Sequence, residues 1–519
     1  MDLENISKEN SYKENSISKT NIEIATLNNN KTFYSIYNPQ RDIDFFCSNE
    51  KIKNSGFICI AGIGNGYHLK QLSEKYPDKF ILAFEINKTS LEYLKQTNDF
   101  SFIQNKKILF TTLDELENKI IENYNPAIYE NFYFTNIKPW MDFHQEYFDL
   151  IKEKINNAIS IISSDFSVQS HFGKIWMQNI LQNTNFLIQN KFQKKFEIDN
   201  SKTAVIIGAG PTLDESINFI KTHKENLFII TTDTAYPTLL KQNIIPQVVV
   251  SIDAQIFSRE HFIGINKTNI NDIIFLLDLC ANSSIVKKIN NENILFFTNG
   301  HPLCNYIEEN SKGKFLRLSS GRGTVTTAAC DFAIKCNFEN IILIGTDFSF
   351  YQNKPYTKGT YLEKQFLSQS NRNKNLETQY TNLMLRTEIF KNKEGFFTTK
   401  LLDEYRIYQK KMINDSTSKF YVLNKNCNPM NLNIFDTKFL EQKNSKGKIF
   451  LSNPFIKKEI IEQLCKDLST ETNQFEKIYP ILPLLAWGKN KKIDFFSTIN
   501  IAKKLIHNYT IRCYEFKSD

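Results

Sequence analysis

The sequence predicts an α/β protein built on largely parallel sheets. Short apolar runs such as Phe57-Ile58-Cys59-Ile60-Ala61, Val205-Ile206-Ile207 and Ile341-Ile342-Leu343-Ile344 are too short for core helices and apolar at every position, as strands covered on both faces are. They alternate with stretches of helical periodicity, the pattern of β-α-β crossovers. The 519-residue length suggests about three domains. The boundaries fall at 1–135 for an amino-terminal α/β domain with a leading hairpin, 136–199 for connecting helices, 200–445 for a central α/β domain and 446–519 for a helical bundle.

Residues 1 to 20 are polar and read as loose, after which Ile22, Ile24 and Thr26 alternate up to the turn Asn28-Asn29-Asn30 and pair with Thr32 to Ile36 as a hairpin. The first α/β unit starts at Phe57–Ala61 and turns through Gly62-Ile63-Gly64-Asn65-Gly66 into a helix over 67–75. A strand at 80–84 then ends at Glu85, where Rossmann-like dinucleotide and S-adenosylmethionine folds carry an acid for a ribose. Two readings stand: a nucleotide pocket, or glycines that only make the turn. From Trp140 to Asn190, Phe143, Phe148, Ile151 and Ile155, then Phe172, Ile175, Trp176 and Leu181, recur at helical spacing.

In the central domain, strands are expected at 203–207, 227–231, 247–252, 273–277, 294–297 and 341–345. Residues 361–445 read as a polar segment, a helix near 399–411 and irregular structure, and helical periodicity resumes beyond Asn453. In that terminal bundle Phe475, Tyr479 and Trp487 are either core or a docking surface.

Composition narrows the function classes. The formal charge of +8 is spread over interspersed lysines and glutamates, which argues against a nucleic-acid stripe. Nine cysteines stand singly with no Cys-x-x-Cys pair and no histidine ladder, so no metal site and a reducing, cytoplasmic setting are expected. Met1 leads into charged residues without an apolar core, and no later run approaches the roughly 18 apolar residues of a membrane span, so no membrane partner is expected.

The chemistry concentrates at strand ends of the central domain, where open α/β sheets bind ligands. Val205-Ile206-Ile207 runs into Gly208-Ala209-Gly210-Pro211-Thr212, a glycine turn that opens a helix and offers backbone N–H groups to phosphate. Three further strand-end clusters are polar: Thr231-Thr232-Asp233-Thr234, Ser251-Ile252-Asp253 and Gly345-Thr346-Asp347-Phe348. A fourth, Ser319-Ser320-Gly321-Arg322-Gly323-Thr324, precedes a helix over 325–336. Any one is an ordinary cap or turn; together around one sheet they describe a site.

These residues resemble the motility accessory factor family of flagellin glycosyltransferases, whose central domain is also described as 6-hydroxymethylpterin diphosphokinase-like. The resemblance rests on His171-Phe172-Gly173-Lys174-Ile175-Trp176 with Asn179 and Asn183, the Gly208 turn, Ser251-Ile252-Asp253 and Gly345-Thr346-Asp347-Phe348. Upstream, Tyr34-Ser35-Ile36-Tyr37-Asn38-Pro39 and the Gly62 turn are similar to that family's amino-terminal domain. The central domain is further similar to bacterial sialyltransferases, with Gly208–Thr212 in place of their Gly-Asn-Gly-Pro-Ser turn and Asp347-Phe348, Tyr351-Gln352-Asn353 and Tyr356 in place of their Asp-Phe-Tyr-Gln-Asn run and second tyrosine.

The resemblance implies transfer of a nonulosonic acid, of pseudaminic or legionaminic type, from a CMP-sugar to serine or threonine of flagellin, in support of flagellar assembly and motility. It implies that Tyr351 and Tyr356 bind the departing phosphate, and Asp253 and Asp347 join them as catalytic candidates read from the residues themselves. Donor binding falls to Gly208, Ala209, Gly210, Pro211, Thr212, Thr232, Asp233, Ser251, Ser319, Ser320, Gly321 and Thr324. The partners are flagellin and the nucleotide sugar, and no metal or other cofactor is required. Two departures matter. Ser349 and Phe350 separate Asp347-Phe348 from Tyr351, and no histidine follows the Asp-Phe pair before His507, so Asp253 is named as proton acceptor, with Asp347 and His301 as the other choices. The alternatives are an ATP- and magnesium-dependent pterin diphosphokinase and a non-catalytic flagellin-binding protein.

Overall fold

The structure is a computed structural model that describes residues 8–104, 107–189, 194–262, 272–289, 292–320, 323–424, 427–440, 447–468 and 475–515. The chain divides into two compact units, Met1–Gly173 with Leu482–Thr498, and Lys174–Ile481 with Ile499–Asp519.

The first unit opens with an antiparallel hairpin of β1 (Tyr12–Ile17) and β2 (Glu23–Leu27), in which Tyr12 faces Leu27 and Ile17 faces Glu23. The strand around Ile24 therefore pairs upstream, within the segment read as loose, and only the bridge Thr26–Thr32 remains of the expected downstream pairing. The cause is Tyr12, whose ring is buried against Phe33 and Tyr93 and whose hydroxyl donates to Glu85 Oε1 at 2.8 Å. One buried aromatic anchors an otherwise polar strand, and a polarity pattern does not reveal it.

A four-stranded parallel sheet follows, in the order β5 (Ile108–Thr112), β4 (Phe80–Glu85), β3 (Phe57–Ala61), β6 (Phe132–Asn136). Every residue of β3 is buried, as its unbroken apolar run requires. The helices Tyr67–Lys75 and Lys88–Thr97 connect its strands, the second capped by Asn87, whose side chain accepts the Ser90 N–H at 2.8 Å. The periodic stretch after Trp140 folds as the short helix Lys138–Phe143 and one 42-residue helix, Phe148–Gln189. Gly173 sits inside that helix because a Cβ there would lie 1.8 Å from the Pro483 carbonyl oxygen, so the helix Leu482–Asn490 comes close only against a bare backbone.

The second unit is organised by a nine-stranded sheet in which every pairing is parallel. Beside it, β7 (Phe196–Asp199) forms a separate antiparallel pair with a late strand of the chain. From β8 (Thr203–Ile207) the chain steps outward through β9 (Leu227–Thr232), β10 (Val248–Ser251), β11 (Ile274–Asp278), β12 (Ile294–Thr298) and β13 (Leu316–Arg317). It then returns to the other side of β8 with β14 (Asn340–Ile344). After the hairpin of β15 (Ile389–Lys391) and β16 (Phe397–Thr399), it extends the sheet with β17 (Lys419–Val422) and β18 (Asn433–Ile434). β19 (Lys448–Leu451) is the antiparallel partner of β7.

Apolar clusters cover both faces of the sheet, one around Phe332 and Phe338 and the other around Leu213, Ile217 and Leu239. The order reverses between β8 and β14, and this switch point positions the site. The segment read as polar and irregular contains two further helices, Tyr361–Gln369 and Leu376–Met384, before Lys400–Asn414. The chain closes with helices Lys458–Asp467, Phe475–Ile478, Leu482–Asn490 and Phe495–Glu515. No helix among the described residues is long and apolar enough to cross a membrane.

Candidate functional site

The amino-terminal glycine turn is filled by the protein itself. A Cβ on Gly64 would lie 2.5 Å from the Phe33 ring, one on Gly62 2.9 Å from Trp140 Cγ and one on Gly66 2.8 Å from Phe100 Cε1. Glu85 is fully buried and accepts the Tyr12 hydroxyl at 2.8 Å, Trp140 Nε1–H at 2.7 Å and the Ile63 N–H at 2.6 Å. Burial pushes its carboxyl up to about 7 against the pull of those donors. Aromatic rings close on the glycine backbone and the chain's own donors take up Glu85, so of the two readings of this turn the geometry favours glycines that only make the turn.

At the switch point the two strand-end turns lie backbone on backbone. The Gly208 N–H donates to the Ile344 carbonyl at 2.8 Å and the Gly210 N–H to the Gly345 carbonyl at 2.8 Å. A Cβ on Gly208 would sit 2.4 Å from Gly345 O, and one on Gly345, whose φ is +63°, 2.3 Å from Gly208 O. Asp347 follows immediately and is 4% exposed. Its Oδ2 accepts the Thr212 N–H at 3.0 Å and its Oδ1 accepts the Thr212 hydroxyl. A carboxylate of the chain thus caps the helix Leu213–His223 at the N–H that the sequence reading reserves for phosphate. Burial pushes Asp347 up to about 6; the Thr212 bonds oppose this and nearby Glu215 adds to it.

A cavity of about 570 Å³ opens over these turns. Its wall includes Ala209, Gly210, Thr232, Thr324, Asp347 and Tyr356, all expected from sequence. Phe350, Leu383, Met384, Arg386 and Tyr405 also line it, none of them anticipated. Among the described lining residues Asp347 is the single acid and Arg386 the single base. Tyr356 is held at the turn because Thr357 donates its N–H to the Ala209 carbonyl at 2.9 Å and its hydroxyl to Asp214, while the Lys358 N–H reaches Asp214 Oδ1 at 3.2 Å. Burial pushes the Tyr356 hydroxyl up, which keeps it protonated and a donor.

Thr234, Gly323, Gly345, Thr346 and Phe348 of the expected clusters also line the cavity, whereas the remaining described donor-site and catalytic candidates lie off the wall. Gly208, Pro211 and Thr212 belong to the turn that the wall stands on. Asp233 and Ser251 are locked together: the Ser251 hydroxyl donates to Asp233 Oδ2 at 2.6 Å, and Asp233 Oδ1 takes the Thr234 N–H at 2.7 Å. Asp253 is half-buried and accepts the Gln255 N–H at 2.9 Å; burial raises its carboxyl, with Asp233 adding to the rise and His261 opposing it. The Ser319 N–H donates to Asp331 Oδ2 at 2.6 Å, and its hydroxyl shares a hydrogen bond with the Tyr408 hydroxyl at 2.8 Å. The Ser320 carbonyl takes the N–H groups of Gly323 and Thr324 at 3.0 and 2.9 Å, and Gly321 lies outside the described residues. Tyr351 opens a short turn in which Gln352 and Asn353 have φ of 52° and 56°. His301 caps the helix Pro302–Glu309, and burial pushes its imidazole down to about 3.

Residues 174–353 match the family described as 6-hydroxymethylpterin diphosphokinase MptE-like. That span runs through β8 to β14 and ends on the Tyr351–Asn353 turn. The chain has the fold of a solved structure described as a MAf glycosyltransferase from Magnetospirillum magneticum AMB-1, with a TM-score of 0.51 at 10% identity over 97% of this chain and 87% of that one. Two uncharacterized proteins of Treponema pallidum (strain Nichols) are each 38% identical over 141 residues, covering 27% and 26% of this chain and 66% and 50% of the relatives. A third, from the same organism, is 23% identical over 346 residues, 65% of this chain and 59% of that protein. The chain thus spans about half to two thirds of the relatives it matches.

Inside the matched span, Asn179 and Asn183 brace the strand-end loops. Asn179 Nδ2 donates to the carbonyls of Ala254 and Cys280 at 3.0 and 3.1 Å, and Asn183 Nδ2 to those of Leu279 and Ala281 at 3.0 and 2.9 Å. The same loops bring Cys280, His301 and Cys304 together, their ligand atoms all within 4.8 Å of one another. Spacing along the chain pointed to no metal set; a cysteine after one strand and a His-x-x-Cys after the next become neighbours only once both strands lie in the sheet.

Proposed function

We propose that this protein is a glycosyltransferase that moves a nonulosonic acid from a CMP-sugar to serine or threonine of flagellin. The observation that carries the reading is the cavity at the β8/β14 switch point, with Tyr356 and Arg386 on its wall and Asp347 at its floor, in a chain that shares the fold of a MAf glycosyltransferase. The reaction breaks the bond from the anomeric carbon to the CMP phosphate through a transition state of oxocarbenium character, and negative charge grows on the leaving phosphate. The protonated Tyr356 hydroxyl and the Arg386 guanidinium are the donors that would meet that charge without reorganising. The acceptor hydroxyl must lose a proton, and Asp347 takes that role in this reading: it is the single carboxylate on the described wall, and with its carboxyl near 6 it is ionised yet basic at neutral pH. Asp253, the first choice from sequence, does not line the cavity.

The reading is tested by thermal shift with CMP, with ATP and magnesium, and with S-adenosylmethionine, followed by intact mass of flagellin incubated with protein and CMP-pseudaminic acid. Stabilisation by CMP and a mass gain of one sugar support it. Stabilisation by ATP with magnesium and not by CMP would favour the second reading, diphosphate transfer to a pterin, which the family description suggests. That chemistry ordinarily gathers carboxylates around magnesium, and the described wall offers one.

A further inference from the structure

Two thiols and an imidazole meet in the second unit, and none of them lines the cavity. Cys280 stands just after β11, while His301 and Cys304 open the helix that follows β12. All three are buried, at 3%, 8% and 0% exposure, and the two thiols are within hydrogen-bonding contact. His301 Nδ1 accepts the Leu303 N–H at 3.1 Å, which puts the ring proton on Nε2, and Nε2 is buried with no partner. Asp278, on the same turn as Cys280, accepts the Cys280 N–H on Oδ1 at 2.8 Å and leaves Oδ2 buried with no partner. Two unpaired buried polar atoms around one pair of thiols are unusual, because folded proteins satisfy nearly all such groups.

The surroundings are built to hold these donors still. Asn179 and Asn183 clamp the carbonyls on both sides of Cys280 and that of Cys280 itself, and the Trp176 ring meets His301 edge to face at 5.7 Å. Thiolate and imidazole donors, closed off from water on braced backbone, form the donor set of a structural zinc centre rather than of a magnesium or calcium site. Zinc bond lengths set neighbouring ligand atoms roughly 3.5–3.8 Å apart, so donors already within 4.8 Å close by small side-chain rotations.

We propose that Cys280, His301 and Cys304 bind one zinc ion. Binding releases the two thiol protons to solvent and moves the His301 ring proton from Nε2 to Nδ1, which gives up the Leu303 cap in exchange for the metal bond. The centre ties the loop after β11 to the helix after β12 at the carboxyl edge of the sheet. Because Asn179 also holds the Ala254 carbonyl, the turn that carries Asp253 is joined to it.

The test uses the full chain, purified without chelator, with zinc measured by mass spectrometry of the elements and the metal then exchanged for cobalt. We expect about one zinc per chain, retained through gel filtration, and a cobalt form with thiolate-to-metal charge transfer and tetrahedral d–d bands. Cys304→Ser should lose the charge-transfer band, whereas Cys330→Ser, which alters a buried thiol elsewhere, should keep it. If Cys304→Ser does not fold, the cobalt spectrum of the unsubstituted protein decides alone. No zinc after reconstitution, a cobalt spectrum without thiolate bands, or a Cys280–Cys304 disulfide in protein handled under reducing conditions would each overturn the proposal.

Discussion

Replacing Asp347 by asparagine separates the two roles this carboxylate has, as helix cap and as proton acceptor. In the folded protein burial holds the carboxyl near 6, whereas in the unfolded chain it titrates near 3.9. Between those values the native state keeps a proton that the unfolded state has lost, so stability falls as pH rises from about 4 to about 6 and is flat on either side. The gap of roughly two pH units corresponds to about 3 kcal/mol. Glu85 and Asp278, each pushed up to about 7, slope the same way, but they are common to both proteins and cancel in the difference.

Urea unfolding of the two proteins at pH 4 and pH 7 gives the answer. Asp347→Asn should lose one of the two Thr212 bonds, costing about 1–2 kcal/mol at pH 4, and should recover that loss or gain relative to the parent at pH 7. Sugar transfer should fall by about 10²-fold or more, while CMP still raises the melting temperature. In the parent protein kcat/KM should drop with unit slope below about pH 6. A stability difference that does not change between the two pH values would refute the raised carboxyl, and unchanged transfer would remove Asp347 from the chemistry.

Three further outcomes are expected. Tyr356→Phe removes one donor from the cavity wall and should lower kcat by about 10²-fold with little change in KM, read in the flagellin transfer assay. Asn183→Ala strands the Leu279 and Ala281 carbonyls and should cost about 2–4 kcal/mol in denaturant unfolding, whereas Asn305→Ala, at an exposed amide, should cost less than about 0.5 kcal/mol. Gly173→Ala drives a methyl group into the Pro483 carbonyl and should lower the melting temperature well beyond the ordinary gain from alanine in a helix.

The strands of the central sheet were legible because they are short, apolar on both faces and followed by glycine or polar clusters, and six of them fall within a residue or two of the expected positions. The glycine turn and Asp347 were legible for the same reason, although their contact with each other was not. The wall contributed by Leu383, Arg386 and Tyr405 went unread because its segment looked polar, yet a signal was present. Thr360 and Glu363 have the spacing of a capping box: the Glu363 N–H donates to the Thr360 hydroxyl at 3.3 Å, while the Glu363 carboxylate accepts the N–H of Gly359, one residue before the cap. Asn375 likewise caps the next helix by accepting the Thr378 N–H at 2.8 Å. β1 and the cysteine–histidine cluster escaped for a different reason. Each depends on partners distant in sequence, Tyr12 on Glu85 and Cys280 on Cys304, and no local period records such pairs.

The bond between Thr212 and Asp347 spans 135 residues, and it has a consequence for how the protein is made. As the chain leaves the ribosome, β8 through β13 can align in order, each beside its predecessor, while the glycine turn still faces nothing. The cavity floor comes into being only when β14 inserts on the far side of β8, a long-range closure of the kind that slows folding. A nascent chain that stops before β14 therefore has most of a sheet and no site, and its β8 edge stays open to any other unpaired strand until about two thirds of the protein has been synthesised.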